Sequence, residues 1–424
     1  MVERKNDPSL PLPDPALTTR GTMVKRKNLP SLLDMVKSCG KEKDISKVRG
    51  LHAAMQRKGL IPKDTYVTTS LLNTYAKCGL HGNARELFEE LPVRNVVSWN
   101  ALIGGYAHCG LGNEAIECFH QMKDEGIFPD KVTFTCILKA CGSVGSLEIG
   151  EVIHAEINKQ GLLRKDLVLG NTLIDMYAKC GMLGKALEVF KELPVHDVVS
   201  WNALIGGYAQ HDLGHGALKC FREMHNEGIA PTVVTFTLVL KACASVGCLE
   251  VGEEIYEKVS KLGLLGKDFM LGTALVDMYA KCGELEKARK AFEMLPQRDV
   301  VSWNALIAGY AQRDLAEEAL KCFQRMRDEG IFANPLTFIS VLKACGSIGA
   351  LNMGREIHAE VKILGLLRKD LMLGTAVVDM YAKCDMMEKA QEVFEELPVH
   401  DVVSWNALMG GYAQNGLGNE ALKC

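Results

Sequence analysis

Residues 198–210 read VVSWNALIGGYAQ, and nearly the same phrase stands at 96–108, 300–312 and 402–414. The four tryptophans Trp99, Trp201, Trp303 and Trp405 therefore lie 102 residues apart, and most of the sequence between them repeats too. Self-similarity at a fixed period is the mark of a stacked-repeat architecture. A Cys or His that recurs every 102 residues then asks for a repeat-level explanation before a catalytic one.

Outward from this phrase, the period divides into motifs of 36, 31 and 35 residues. Long motifs span 29–64, 131–166, 233–268 and 335–370. Short ones span 65–95, 167–197, 269–299 and 371–401. The 35-residue motifs span 96–130, 198–232 and 300–334, with an incomplete copy at 402–424. Each reads as a helical hairpin. In 167–197, Leu173, Met176, Tyr177 and Cys180 fall at i, i+3, i+4 and i+7, one apolar helix face. Gly181 supplies a turn, Ala186, Val189, Phe190 and Leu193 repeat the spacing, and Pro194 stops the second helix. Neither helix buries its stripe alone, so hairpins must stack, and the fold class is all-α: a right-handed α-solenoid of helix-turn-helix motifs over 29–424.

Composition agrees with such a chain. At 424 residues it is too long for one compact core, a limit a solenoid evades because each unit packs only on its neighbours. No run of about 18 consecutive apolar residues occurs, so no membrane span is expected. A net charge of −3 does not announce a nucleic-acid binder, and any such role must rest on local patches. Residues 1–28 differ: Pro8, Pro11, Pro13 and Pro15, a basic cluster at Lys25, Arg26 and Lys27, and no hydrophobic period read as a disordered tail. Glu3, Asp7 and Asp14 make it an unconvincing transit peptide. Because the chain ends at Cys424, inside the second helix of its motif and without a polar cap, a truncated product is expected.

Twelve of the 15 cysteines are locked to the repeat, in sets beginning at Cys39, Cys78 and Cys118, and no Cys-x-x-Cys occurs. Thiols packed between helices are the expectation, with no disulfide framework, metal site or cofactor.

The phrases VVSWNALIGGYAQ, VTFTCILKACGSVGSLEIGEVIHAEI (132–157) and LIDMYAKCGMLGKALEVFKELP (173–194) resemble those of plant pentatricopeptide repeat (PPR) proteins, and the alternating motif lengths resemble the PLS subclass. Tetratricopeptide repeats keep a constant 34-residue period and a Trp-x-x-Leu-Gly phrase that is absent here. The resemblance covers 29–424 and eleven complete motifs. It implies sequence-specific binding of single-stranded organellar RNA, one base per motif, in the mitochondrion or chloroplast. In the family the fifth and last residues of a motif read the base edge, and an apolar residue at the second position sandwiches the base.

Carried over residue by residue, Thr69 with Asn95 resembles an adenine reader. Asn100 with Asp130 and Asn171 with Asp197 resemble uracil readers; Thr273 with Asp299 and Thr375 with Asp401 resemble guanine readers. Asn202 with Thr232 and Asn304 with Asn334 depart from the strongest combinations and imply a pyrimidine. Long motifs pair Leu33, Thr135, Thr237 and Ile339 with Asp64, Asp166, Asp268 and Asp370; Leu and Ile cannot hydrogen-bond a base, so long motifs are expected to read weakly. The implied target is 5′-n-A-U-n-U-Y-n-G-Y-n-G-3′. Sandwiching positions are Val97, Val132, Val168, Val199, Val234, Met270, Val301, Leu336 and Met372. Lys77, Lys179, Lys281 and Lys383, at the thirteenth position of the short motifs, are candidates for phosphate contact, with Lys37, Lys139, Lys241 and Lys343 of the long motifs behind them. Their plain alternative is a solvated helix end.

Some PLS proteins carry a cytidine deaminase, which needs His-x-Glu and a Pro-Cys-x-x-Cys to hold zinc. His154-Ala155-Glu156 and His358-Ala359-Glu360 match the first half only, and packing histidines are expected there. Gly104-Gly105 and Gly206-Gly207 lie within helical runs with no Lys-Ser/Thr after them, so they read as close helix packing, not phosphate loops. No catalytic constellation is found. The sequence therefore points to a non-enzymatic RNA-specificity module, serving C-to-U editing with a deaminase or editing factor supplied in trans, or another step of RNA processing. The alternative from another class is a protein-binding helical-repeat scaffold, which would need no coherent pairing of fifth and last residues.

Overall fold

The computed structural model describes residues 29–423, and the reading of 1–28 as a tail lies outside them. The described residues form 24 helices and no strand, an all-α solenoid of hairpins. First helices begin at residues 29, 65, 96, 131, 167, 198, 233, 269, 300, 335, 371 and 402, the first residue of each motif. The sequence places a capping residue immediately before eleven of them. Asn95, Asp130, Asp197, Thr232, Asp299, Asn334 and Asp401 form full capping boxes with the Ser or Thr three residues on. Asp64, Asp166, Asp268 and Asp370 cap without the reciprocal bond.

Each hairpin turn uses one left-handed residue. Glycine fills most of these positions, as at Gly181 (φ +76°), and Lys43, Asp212, Asp314 and Asp385 fill the others. Second helices end as the sequence implies, Leu183–Glu192 just before Leu193-Pro194.

The helices group into two compact units, one ending at Val195 and one starting at His196. In the first, Leu29–Glu42, Thr65–Lys77, Val96–His108, Lys131–Val144 and Leu167–Lys179 pack one on the next; each second helix packs on its own first helix, and those of the first four hairpins also on the following one. In the second unit the first helices from Val198–Gln210 to Val402–Gln414 do the same. First helices thus form one layer of each unit and second helices the other.

The repeated tryptophan ties motif to motif. The Trp99 and Trp303 rings stand edge-on to Phe88 and Phe292, with centroids 4.4 and 4.5 Å apart, and both indoles are fully buried. The glycine pair works as the sequence implies: a Cβ on Gly105 would stand 2.3 Å from the Cβ of Ala76, on the preceding first helix. Cys39, Cys141, Cys243 and Cys345 are buried, but Cys78, Cys180 and Cys384 at the helix C-cap, and Cys282 as the last residue of its helix, are only half-buried.

Candidate nucleic-acid interface

A helix that packs on both neighbours hides its apolar stripe, so an apolar side chain left outside in every copy is informative. Val97, Val132, Val168, Val199, Val234, Met270, Val301, Leu336 and Met372 are all 49% to 73% exposed. Tyr66 and Val403, at the same second position, are exposed as well and were missed by the sequence reading, although their register gives them away. Three residues further along each first helix stands the fifth residue.

In two of the three complete 35-residue motifs the fifth and last residues meet. Asn100 Nδ2 donates to Asp130 Oδ1 at 2.9 Å, and the Thr133 hydroxyl lies 2.6 Å from Asn100 Oδ1. A carboxylate only accepts, so the amide nitrogen must face it and the orientation of Asn100 is fixed. Asp130 Oδ1 also accepts from the backbone N–H groups of Val132 and Thr133. Burial pushes the Asp130 carboxyl up, but these hydrogen bonds together outweigh it and hold the group below the usual carboxylate range. All of these contacts fall on Oδ1, so Oδ2 keeps its acceptor capacity.

Asn304 and Asn334 repeat the geometry at 2.9 Å, with Thr337 2.6 Å from Asn304 Oδ1. Asn334 Oδ1 accepts the N–H of Thr337, which turns the remaining Nδ2 hydrogens outward. Asn202 Oδ1 accepts from the Thr235 hydroxyl at 2.8 Å, while Thr232 caps the helix.

The short motifs place Thr69, Thr273 and Thr375 at the same register, all buried. The hydroxyls of Thr69 and Thr273 have no hydrogen-bond partner among the described residues. Neither is bonded to its candidate co-reader, Asn95 or Asp299, which are occupied as caps. Asp401 is held below the usual carboxylate range, chiefly by the N–H of Ser404. Asn171 lies buried in the first unit, and Asp197 caps a helix of the second.

The long motifs differ. Thr135 and Thr237 turn their hydroxyls back to the carbonyls of Lys131 and Val233, each at 2.9 Å. Leu33 is buried. Asp166 caps Leu169 and pairs with Lys131 at 3.2 Å. Its backbone ψ is 98°, against −178° for Asp130, so its side chain leaves the chain in another direction.

The candidate phosphate lysines are not equivalent. Lys179, Lys281 and Lys383 pair with Asp175, Asp277 and Asp379, four residues earlier on their own helices, at 2.7, 2.9 and 2.7 Å. The sequence spacing carries that signal, since an acid four residues before a lysine is the favourable helical order. Lys77 has Asn73 at that spacing and lines a groove of about 610 Å³ with Tyr66, Thr69, Val97, Asn100 and Val132. His154 and His358 accept or donate at Nδ1 to the hydroxyls of Tyr177 and Tyr381 at 2.8 and 3.0 Å, so the two His-Ala-Glu phrases serve hairpin packing. Among the described residues no helix is long and apolar enough to cross a membrane.

Comparison with known proteins follows the same repeats. Sequence patterns of the PPR repeat family match residues 94–143, 196–245 and 298–347, and those of the PPR repeat match 66–96, 171–198, 234–264, 273–300, 375–402 and 403–424. A chloroplastic pentatricopeptide repeat-containing protein of Arabidopsis thaliana is 34% identical over 385 residues, covering 91% of this chain and 62% of the relative. A mitochondrial one is 38% identical over 354 residues, covering 84% of this chain and 34% of the relative. The chain thus spans roughly a third to three fifths of the length of these relatives. The crystal structure of the maize pentatricopeptide repeat protein PPR10 superposes with a TM-score of 0.66 at 20% identity, over 92% of this chain and 57% of that one. Its complex with an 18-nt psaJ RNA element gives 0.68 at 19%, over 89% and 57%. The repeat period, the hairpin fold and these matches agree: the chain belongs to the pentatricopeptide repeat family.

Proposed function

We propose that this chain binds single-stranded RNA in a sequence-specific way, one base per motif, as a PLS-type specificity factor for organellar transcripts. C-to-U editing is the process it serves, with the deaminase acting in trans. The observation that carries this reading is the joined pair Asn100 and Asp130, oriented by Thr133 and flanked by exposed Val97 and Val132. Val97 and Val132 offer two apolar surfaces between which a planar base can sit, and the pair offers polar atoms to its edge. The spare Oδ2 of Asp130 can accept the N3–H of uracil. Asn334 presents Nδ2 donors in the corresponding place, which suit the N3 acceptor of cytosine. The Thr69 and Thr273 hydroxyls, unpartnered among the described residues, are free to bond a base edge. The RNA complex of maize PPR10 supports the ligand class, and the chloroplastic and mitochondrial relatives support the organellar setting.

The test is a gel-shift titration of the recombinant chain at fixed salt with 5′-n-A-U-n-U-Y-n-G-Y-n-G-3′, a shuffled strand, and a strand with both guanines replaced by adenine. Preference for the first is expected. Equal binding of all three would remove base reading, and no binding would leave the protein-scaffold reading instead.

A further inference from the structure

Three departures from the 102-residue repeat fall on one groove of the first unit. At the hairpin turn of the first long motif, Lys43 stands where the later copies have Gly145, Gly247 and Gly349. All four residues are left-handed, with φ of +54° for Lys43 and +67° to +72° for the glycines. That conformation brings a lysine Cβ against the backbone, a penalty glycine escapes. In the first short motif, Asn73 stands where the later copies have Asp175, Asp277 and Asp379, the ion-pair partners of the groove lysines. At the second position of the same motif, Tyr66 replaces Val168, Met270 and Met372. Lys43, Asn73 and Tyr66 all line the groove that holds Lys77 and Lys139, and none of these three lysines has a carboxylate partner among the described residues.

We propose that this groove is the phosphate anchor of the bound RNA, gripped by Lys43 and Lys77, while the later triplets read bases with little phosphate grip. The proposal rests on the RNA-binding reading above. Where the ninth position is Asp, the lysine ammonium shares its charge with a carboxylate that repels a phosphate. Where it is Asn73, the whole charge of Lys77 is available to a polyanion. Lys43 adds a second ammonium from a turn whose backbone strain has no packing reward, since glycine makes the same turn in three other copies. Tyr66 adds an exposed ring on which a base can stack. A chain with a net charge of −3 thereby keeps a local cationic site.

The experiment is a polarisation titration of the full chain with labelled 5′-n-A-U-n-U-Y-n-G-Y-n-G-3′, repeated from about 50 to about 200 mM salt. Lys43→Gly and Lys77→Ala are each expected to weaken binding several-fold and to lower the slope of log affinity against log salt by about 0.7. Asn73→Asp should reproduce the loss seen for Lys77→Ala. Lys281→Ala, which removes an already paired charge, should leave the slope unchanged. Lys43→Gly relieves a strained turn, so its melting temperature should not fall, which separates the binding loss from misfolding. The proposal is overturned if Lys281→Ala lowers the slope as much as Lys77→Ala, or if Lys43→Gly and Asn73→Asp bind like the wild type. If the wild type binds all RNAs equally yet Lys43→Gly and Lys77→Ala still lower the slope, base reading fails and the anchor stands. If the wild type binds no RNA, both fall.

Discussion

The motif 96–130 and the motif that follows it, 131–166, share a hairpin, a packing layer and an exposed valine at the second position, yet they spend their polar atoms differently. In the first, Asn100 and Asp130 face each other at 2.9 Å and keep an acceptor oxygen free. In the second, Thr135 returns its hydroxyl to its own helix and Asp166 is taken by a cap and by Lys131. Residue type at the fifth and last positions is therefore not enough. What matters is whether the polar atoms there remain unspent after the fold has used what it needs, because a hydrogen bond already made inside the protein offers a base no net gain.

The most direct way to break this comparison is Asn100→Leu, which gives the motif the kind of fifth residue that Leu33 and Ile339 supply to long motifs. Discrimination for uracil at that nucleotide should drop by about 10- to 100-fold, the worth of one good base-edge pairing at roughly 1–3 kcal/mol. Competition titrations with RNAs differing at that one position measure it, and undiminished discrimination would exclude Asn100 as a reader. Thr133→Val is expected to act next most strongly. Its hydroxyl orients Asn100 Oδ1 and accepts the N–H of Asp130, and the residue is fully buried. Removing it leaves those groups short of a partner, at about 1–2 kcal/mol in denaturant unfolding. Preference for uracil should weaken with it, while Asn100 and Asp130 remain in place.

The fold was legible because three signals coincide: the 102-residue period, the i, i+3, i+4, i+7 stripe, and a Thr, Asn or Asp before the first helix of eleven motifs. The tryptophan phrase works as an inter-motif wedge against Phe88 and Phe292. The interface was legible only in part. Thr69 and Thr135 are the same residue at the same register, and nothing local in the sequence says that one hydroxyl is unpartnered and the other bonded to Lys131. The Asn100, Asp130 and Thr133 cluster joins residues 30 to 33 positions apart, beyond the reach of helical spacing. By contrast, the Asp175 to Lys179 pairing and the misfit of Lys43 among glycines are visible in the aligned repeats, and the misfit gains meaning from the groove that places Lys43 with Asn73 and Lys77.

A smaller effect concerns the packing role of the long motifs. His154 of the second long motif bonds Tyr177 of the next short motif, as His52 bonds Tyr75 and His358 bonds Tyr381. Burial lowers the basicity of all three imidazoles from the ordinary value of about 6.5. The unfolded chain then takes up protons first as pH falls. Their contribution to stability is complete above about 6.5 and declines below it, until the folded imidazoles also titrate. The third long motif carries Tyr256 there, packed edge-on to Tyr279 with centroids 6.1 Å apart. His154→Tyr should therefore flatten the fall in melting temperature between pH 7.5 and 5.5 by about 1–2 °C and leave base preference at 96–130 unchanged. An unaltered pH profile would show that these histidines titrate alike in both states.

The smallest expected effect is the most discriminating for the comparison itself. Thr135→Val keeps the β-branched shape on a half-buried helix position and removes only a hydroxyl that bonds its own backbone. Stability should stay within about 0.5 kcal/mol, and binding to RNAs that differ at the corresponding nucleotide should be unchanged. The same residue type at 69 makes the contrast testable: Thr69→Val removes a buried, unpartnered hydroxyl and should cost base preference without costing stability. If Thr135→Val lost as much discrimination as Thr69→Val, the back-bonded hydroxyl would have to leave the Lys131 carbonyl when RNA arrives. Availability in the free protein would then no longer separate reading motifs from packing ones.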